Sequence, residues 1–244
     1  MARLVRVPLT LLASGPRHLP REAAHYLCVV HRLESGSRFV AFDPELGVEA
    51  SGTLVLVERT RVVCELEAPT AVQGGTLGVT LLQATAKGDR LEQVVRGATA
   101  LGVERIVLVV AERSVARPAD LRRERLRAIS IEAARQSGRG DVPPIDGPVA
   151  LGERLAALAD WTGLKLCLAP QATVPLAEHL NGFAPGSEAV ILIGPEGGLS
   201  EAELGAARES GFLEAGLGPL TLRTELAAIA ALACFAGRLG AGNC

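Results

Sequence analysis

The sequence has few aromatic residues and few lysines, and it lacks a long apolar run. Only 3% of its 244 residues are Phe, Trp or Tyr, and Lys87 and Lys165 are the only lysines. A transmembrane helix needs about 18 consecutive apolar residues, and no stretch reaches that length. The opening run after Arg3 and Arg6 is broken by Pro8, so we interpret it as a first strand rather than a signal peptide. We therefore expect no membrane association.

Cysteine and histidine patterns typical of disulfide or metal sites are also missing. The five cysteines are odd in number and far apart, without a C-x-x-C pair: Cys28, Cys64, Cys167, Cys234 and Cys244. This pattern suggests neither a disulfide framework nor a zinc knuckle, and it fits a reducing cytoplasm. The four histidines are scattered, so no metal site is predicted.

The composition that remains is that of a folded protein with unevenly distributed charge. Hydrophobic residues make up 48% of the chain and charged residues 21%, enough for one large or two modest domains. The formal net charge is −2, but residues 86–139 hold twelve Lys and Arg against seven Asp and Glu. Arginine forks suit phosphate as well as carboxylate groups, so this basic stretch is a candidate contact for such anionic groups. An arginine-rich composition bias explains the same counts equally well.

The periodicity of apolar residues divides the chain near residue 72. Before it, short β-like runs occur at 27–30, 38–43, 52–58 and 61–67, which predicts a small β-rich domain over residues 1–71. Residues 68–76 are rich in Pro, Gly and Thr and form the predicted linker. The remainder, 72–244, is the second predicted domain.

In the second domain, buried strands alternate with amphipathic helices. The predicted strands are 79–84, 106–111, 164–169, 189–193 and a short one around 216–221. The predicted helices are 89–102, 119–137, 150–160, 201–210 and 225–238. This alternation predicts an α/β fold with a parallel sheet covered on both faces. Ligands of such sheets bind at the carboxyl ends of the strands.

A glycine turn follows the strand at 189–193. The segment Gly194-Pro195-Glu196-Gly197-Gly198 runs into Ser200 and Glu203, which have the spacing of a helix capping box. Glycines let the backbone approach a ligand closely, and amides at a helix start favour anionic groups. A tight strand-to-helix turn needs glycine for purely conformational reasons as well. The spacing matches neither a Rossmann nor a Walker fingerprint.

Two further segments carry polar residues at predicted helix ends. In Leu217–Ala227, a Gly-Pro kink precedes Arg223, Thr224 and Glu225. Thr224 is a predicted N-cap. Arg223 and Glu225 also fit a capping and salt-bridge pair at the start of a helix, without any catalytic role. In residues 132–145, Arg135 and Arg139 are four apart, which suits a solvated basic helix face as well as a functional site.

Together these segments resemble the RsmE family, SPOUT-superfamily methyltransferases that act on N3 of a uridine in 16S ribosomal RNA. The most specific matches are EAARQSGRGDVPPI (132–145), IGPEGGLSEAE (193–203) and LGPLTLRTELA (217–227). HYLCVVHRLESGSRFVAFD (25–43) resembles the family's N-terminal domain. Lys87-Gly88-Asp89-Arg90 with ATALGV (98–103) resembles the start of the methyltransferase domain. The resemblance covers nearly the whole chain.

The resemblance implies a C-terminal SPOUT-type parallel sheet with a deep trefoil knot, preceded by a PUA-like RNA-binding β-barrel. It implies S-adenosylmethionine as cofactor, 16S ribosomal RNA of the small subunit as substrate, and a homodimer whose active sites are completed by the partner chain. The knot loops lie around 168–170, 194–199 and 217–224. The implied cofactor-binding residues are Leu168, Ala169, Ile193, Gly194, Pro195, Glu196, Gly197, Gly198, Leu217, Gly218, Leu220, Leu222 and Thr224.

Methylation of a uracil imide requires loss of the N3 proton and correct alignment of the reactants. Arg139 and Arg223 are candidates for stabilising the uridinate oxygens, and Glu225 is a candidate base. Ala100 and Leu226 stand where the family usually has Glu and Thr, and we expect the departure at Leu226 to affect the cofactor loop. Two alternatives therefore stay open: a catalytically silent RNA-binding or ribosome-assembly factor, and a SPOUT methyltransferase that acts on another RNA position.

Overall fold

The computed structural model describes residues 4–72, 76–86, 89–115 and 121–240. Lys87 and Gly88 of the predicted domain start, and part of the predicted linker, lie outside the described residues. The chain divides into two compact units. The first comprises residues 1–74 and 131–142, and the second comprises 75–130 and 143–244. The sequence predicts a single division near residue 72, with residues 131–142 in the second domain, whereas these residues cluster with the first unit.

The first unit contains a six-stranded mixed sheet and a short helical segment. Its elements are β1 (Arg6–Pro8), β2 (Gly15–His18), α1 (Arg21–Ala24), a π-helix (His25–Val30), β3 (Arg38–Asp43), β4 (Val48–Val57), β5 (Val62–Leu66) and β6 (Thr70–Ala71). The strand order is β1-β3-β4-β5-β2, with β6 also paired to β4; only β1 and β3 run parallel.

The predicted strand at 27–30 is wrong, because these residues lie in the π-helix that continues α1. Leu27 is fully buried in the core of this unit, while Val29 and Val30 are about half exposed or more. A short apolar run fits a strand and a helix equally well, and tertiary packing selected the helix.

The second unit contains a six-stranded sheet in which all strands are parallel. Its strands are β7 (Val79–Ala84), β8 (Arg105–Val110), β9 (Ile145–Ala150), β10 (Leu164–Leu168), β11 (Ala189–Ile193) and β12 (Leu213–Ala215). The order is β12-β10-β11-β7-β8-β9. The predicted α/β fold with a parallel sheet is therefore confirmed. The last strand ends before the predicted position of 216–221, and β9 was not predicted.

Helices cover both faces of this sheet. They are α2 (Arg90–Ala100), α3 (Arg123–Ser137), α4 (Leu151–Ala157), α5 (Leu176–His179), α6 (Glu201–Glu209) and α7 (Thr224–Gly240). Leu91, Val94 and Val95 of α2 pack in one core with Phe235 of α7. The second core, on the opposite face, receives α4 and α6. The sheet is buried on both sides, so its carboxyl edge is where the chain presents loops to a ligand.

Within the part of the chain that the structure describes, no helix is long and apolar enough to cross a membrane. The same residues contain no group of three His, Cys, Asp or Glu side chains positioned to hold a metal ion.

Candidate functional site

The glycine turn begins where β11 ends, in the middle of the parallel sheet. Gly198 has φ +71°, a left-handed conformation that glycine adopts without a steric penalty. A Cβ atom on Gly197 would lie 3.2 Å from Cβ of Arg113, so this glycine permits a close approach. The predicted capping box of α6 is confirmed: the Ser200 amide donates to Glu203 Oε2 at 2.9 Å, and the Glu203 amide donates to Ser200 Oγ.

Three loops at the carboxyl edge of the sheet enclose one pocket of about 770 Å³. They follow β10, β11 and β12. All thirteen residues predicted to bind the cofactor line this pocket, together with Arg223. Their role in cofactor binding stays a prediction. Ten further lining residues were not among the predicted cofactor-binding residues: Arg90, Arg113, Pro170, Gln171, Leu199, Glu201, Leu204, Ala215, Thr221 and Ala227.

A buried chain of hydrogen bonds joins two of these loops to the sheet. Gln83, near the end of β7, is fully buried, and its Nε2 donates to Thr224 Oγ1 at 3.0 Å. The Thr224 hydroxyl donates in turn to the carbonyl oxygen of Gly194 at 2.8 Å. The main-chain carbonyl of Arg223 accepts from the Ala227 amide, so Thr224 is the first residue of α7 rather than its predicted N-cap. Its side chain ties the glycine turn to the start of α7.

Charged residues surround the glycine turn. Arg90 forms an ion pair with Glu196, and Arg113 Nη1 donates to the carbonyl of Gly197 at 3.1 Å. The pKa of Arg90 is raised above its ordinary value, first by the hydrogen bond that its guanidinium donates to Glu196 and then by the negative charges of Glu196 and Glu225. The turn is therefore held by two cationic side chains that face the pocket.

Glu225 does not line the pocket among the described residues, although its neighbours Thr224 and Arg223 do. Its side chain is buried, and its Oε2 has no hydrogen-bond partner in the part of the chain that the structure describes. Leu226 is 51% exposed and also does not belong to the lining residues. The departure at Leu226 therefore changes a surface position of α7 and not the pocket wall.

Arg139 belongs to the first unit and does not share a helix face with Arg135, because α3 ends at Ser137. The Arg139 side chain is 5% exposed, and its Nε and Nη2 donate to the Asp141 carboxylate at 2.8 and 2.7 Å. Burial raises the pKa of Asp141, but the hydrogen bonds and charge of Arg139 outweigh it, so the pKa lies below its ordinary value. Arg139 is thus a buried, paired arginine and not a solvated one.

Several other arginines of the basic stretch also pair with carboxylates. Arg105 pairs with Asp146, and Arg125 pairs with Glu92. Arg135 pairs with Glu132, and its guanidinium carbon lies 3.7 Å from the ring centroid of Tyr26. Much of the positive charge counted in residues 86–139 is therefore compensated locally, which reduces the phosphate attraction that the count alone predicts.

Comparison with known proteins gives a consistent result. Residues 75–236 match the RNA methyltransferase domain family. Ribosomal RNA small subunit methyltransferase E of Synechocystis sp. is 32% identical over 239 residues, covering 95% of this chain and 76% of the relative. The protein of the same name from Bacillus subtilis is 30% identical, covering 88% of this chain and 87% of its own. The crystal structure of that methyltransferase from Neisseria gonorrhoeae, bound to S-adenosylmethionine, has a TM-score of 0.80 at 30% identity and covers 95% of this chain and 96% of its own.

The parallel sheet, the pocket at its carboxyl edge and the matched domain define an RNA methyltransferase. The chain belongs to the ribosomal RNA small subunit methyltransferase E (RsmE) family.

Proposed function

We propose that this chain transfers a methyl group from S-adenosylmethionine to N3 of one uridine in 16S ribosomal RNA. The observation that carries the proposal is the convergence of the loops after β10, β11 and β12 on one pocket. The names of the relatives and the cofactor in the Neisseria gonorrhoeae structure support it. The position N3 comes from the family resemblance.

The pocket suits S-adenosylmethionine in size and in lining. Pockets for ligands of this class measure about 300–1,000 Å³, and this one measures about 770 Å³. Leu168, Ile193, Leu217 and Leu222 provide apolar wall suited to an adenosine group, and the glycine turn brings main-chain polar groups to the same wall. Glycine at 197 keeps open the space beside Arg113 that a side chain would fill. These residues would hold the cofactor.

When bound, S-adenosylmethionine supplies an electrophilic methyl carbon on a sulfonium. The protein has to hold N3 of the uridine in line with the bond between the methyl carbon and the sulfonium sulfur, and it has to exclude water. It also has to accept the N3 proton and stabilise negative charge on the uracil oxygens. We assign charge stabilisation to Arg223, which lines the pocket, and to Arg139 by the family motif.

We keep Glu225 as the candidate base. The unpartnered Oε2 supports this role, because a carboxylate oxygen that accepts no hydrogen bond is open to a proton. Because Glu225 does not line the pocket, we propose that the N3 proton reaches its carboxylate through a water molecule or after a change of the Glu225 rotamer.

The organisation of the whole enzyme follows from the same proposal. We propose a PUA-like RNA-binding domain over residues 1–71 and a SPOUT methyltransferase domain over 72–244, knotted through the loops that line the pocket. The mainly antiparallel sheet of the first unit supports the former, and the parallel sheet of the second supports the latter. We further propose that the enzyme is a cytoplasmic homodimer that acts on the small ribosomal subunit.

The test is methylation of small ribosomal subunits isolated from a strain that lacks this protein. Purified protein and S-adenosylmethionine carrying an isotopically labelled methyl group are added, and the nucleosides are analysed by mass spectrometry. We expect one labelled uridine per 16S RNA, with the label on the base. Reactions with large subunits and with naked 16S RNA are the controls for substrate form.

Each alternative predicts a different result. Label on the ribose, or on another nucleoside, would identify a methyltransferase with another RNA target. Binding of S-adenosylmethionine and RNA without any labelled nucleoside would identify a catalytically silent factor. Failure to bind S-adenosylmethionine at all would contradict the proposal at its first step.

A further inference from the structure

The side chain of Gln83 is an unexpected polar group in an apolar sheet. It lies on the central strand β7, in register with Ile193 of β11 and Leu108 of β8, and it is fully buried. Leu81, Leu82 and Ala84 beside it are apolar and also fully buried. A buried amide costs free energy unless its hydrogen bonds are made, so an apolar residue would stabilise the sheet more.

The Gln83 amide makes only part of its possible hydrogen bonds. Nε2 donates to Thr224 Oγ1 at 3.0 Å and to the main-chain carbonyl of Ala84 at 3.1 Å. Oε1 is buried without a partner among the described residues. Because the Ala84 carbonyl can only accept, the nitrogen must face it, which fixes the orientation of the amide. The amide therefore offers Thr224 a donor and not an acceptor.

This orientation determines the direction of the Thr224 hydroxyl. A hydroxyl has one proton, and if its oxygen accepts from Gln83 the proton is free to be donated to Gly194. The 2.8 Å hydrogen bond to the Gly194 carbonyl is that donation. Gly194 begins the glycine turn, and Thr224 begins α7, and both line the pocket whereas Gln83 does not.

We propose that Gln83 is a positioning residue for the cofactor pocket. Through the Thr224 hydroxyl it holds the glycine turn and the start of α7 at the separation that S-adenosylmethionine requires. The inference rests on the proposed function, because it takes this pocket as the S-adenosylmethionine site. The unmade hydrogen bond of Oε1 is the cost of keeping a donor at this position.

Gln83→Met tests the proposal, because methionine has nearly the same length and suits an apolar core. We expect S-adenosylmethionine to bind about tenfold more weakly by calorimetry, a loss of about one hydrogen bond. The melting temperature should stay the same or rise, since a partly unsatisfied amide is removed. Amide hydrogen exchange of residues 194–199 in the cofactor-free protein should increase. The KM for the cofactor should rise by a larger factor than that by which kcat, measured at saturating cofactor, falls.

Thr224→Val and the double variant Gln83→Met/Thr224→Val test whether Gln83 acts through its hydrogen bond to the Thr224 hydroxyl. If Gln83 acts through the Thr224 hydroxyl, adding Gln83→Met to Thr224→Val should weaken binding little further. Thr99→Val is the matched control, because Thr99 is also fully buried, hydrogen-bonds Ser130 at 2.8 Å and does not line the pocket. It should leave cofactor affinity unchanged.

An unchanged dissociation constant in folded Gln83→Met would overturn the proposal, and so would fully additive effects in the double variant. If Gln83→Met does not fold, Gln83→Leu repeats the test; failure of both to fold would show that Gln83 supports the sheet itself and would also overturn it. A wild-type chain that does not bind S-adenosylmethionine would instead contradict the proposed function.

Discussion

Replacement of Arg139 by alanine separates a structural role of this arginine from a catalytic one. Its side chain is 5% exposed, and its guanidinium donates two hydrogen bonds to Asp141, whose side chain is 36% exposed. For a solvated surface charge, Arg139→Ala would change the free energy of unfolding by at most about 0.5 kcal/mol. The buried pair predicts a larger loss of about 1–3 kcal/mol, because the Asp141 carboxylate loses its partner while still half-buried.

The pH dependence of this loss follows from the pKa of Asp141, which Arg139 holds below its ordinary value. A carboxyl whose pKa is lowered by folding stabilises the folded state above its unfolded pKa, and this contribution is lost as the pH falls through the folded pKa. The difference in unfolding free energy between wild type and Arg139→Ala should therefore be full at neutral pH. It should shrink as the pH falls below about 4.

The assay combines denaturant unfolding with kcat/KM for small ribosomal subunits. If Arg139 acts on the substrate, Arg139→Ala should lower kcat/KM about a hundredfold while cofactor affinity stays unchanged. The double variant Arg139→Ala/Asp141→Ala removes the unpaired carboxylate, so it should recover part of the stability but none of the activity. Arg122→Ala, at an exposed position just before α3, should weaken RNA binding only slightly.

Recovery of kcat/KM in the double variant would refute the catalytic role. It would show that the single substitution acts only through the unpaired Asp141 carboxylate. Equal effects of Arg139→Ala and Arg122→Ala would refute it as well.

Three other predictions concern the second unit. Thr224→Ser should keep cofactor affinity by calorimetry, because the hydroxyl remains, and a loss as large as that of Thr224→Val would contradict the hydrogen-bond argument. Gly198→Ala should lower the free energy of unfolding in denaturant by about 1–2 kcal/mol, because Gly198 has a positive φ. Gly205→Ala, inside α6, should raise the free energy of unfolding by about 0.5–1 kcal/mol. Equal effects of the two substitutions would contradict this prediction. Burial and then the charge of Glu214 raise the pKa of Cys167 to about 12, so a thiol reagent at pH 8 should modify the exposed Cys234 and leave Cys167 unmodified until the protein unfolds.

The sequence by itself determined the features that depend on local patterns. The strands at 38–43 and 189–193 have the predicted bounds, and the capping box at Ser200 is present. Apolar periodicity and capping are properties of neighbouring residues, so they can be read from a short window. The loops that line the pocket were also predictable, since the carboxyl ends of parallel strands meet at one edge of a sheet.

Sequence patterns failed where the outcome depended on packing between distant segments. Residues 27–30, predicted as a strand, lie in a π-helix. Strand β9 was missed because Gly147 and Pro148 interrupt its apolar pattern. Pro148 is tolerated because β9 is the edge strand, a position that no local window reveals.

The polar contacts of the site were decided only by the tertiary structure. Gln83 and Thr224 are 141 positions apart in the sequence, and Arg90 and Glu196 are 106 apart. In the sequence Gln83 is one polar residue at the end of an apolar run, with nothing to mark its partner. Whether a buried polar group is satisfied depends on which strand and helix ends the fold brings within hydrogen-bond distance, and long-range packing alone determines that.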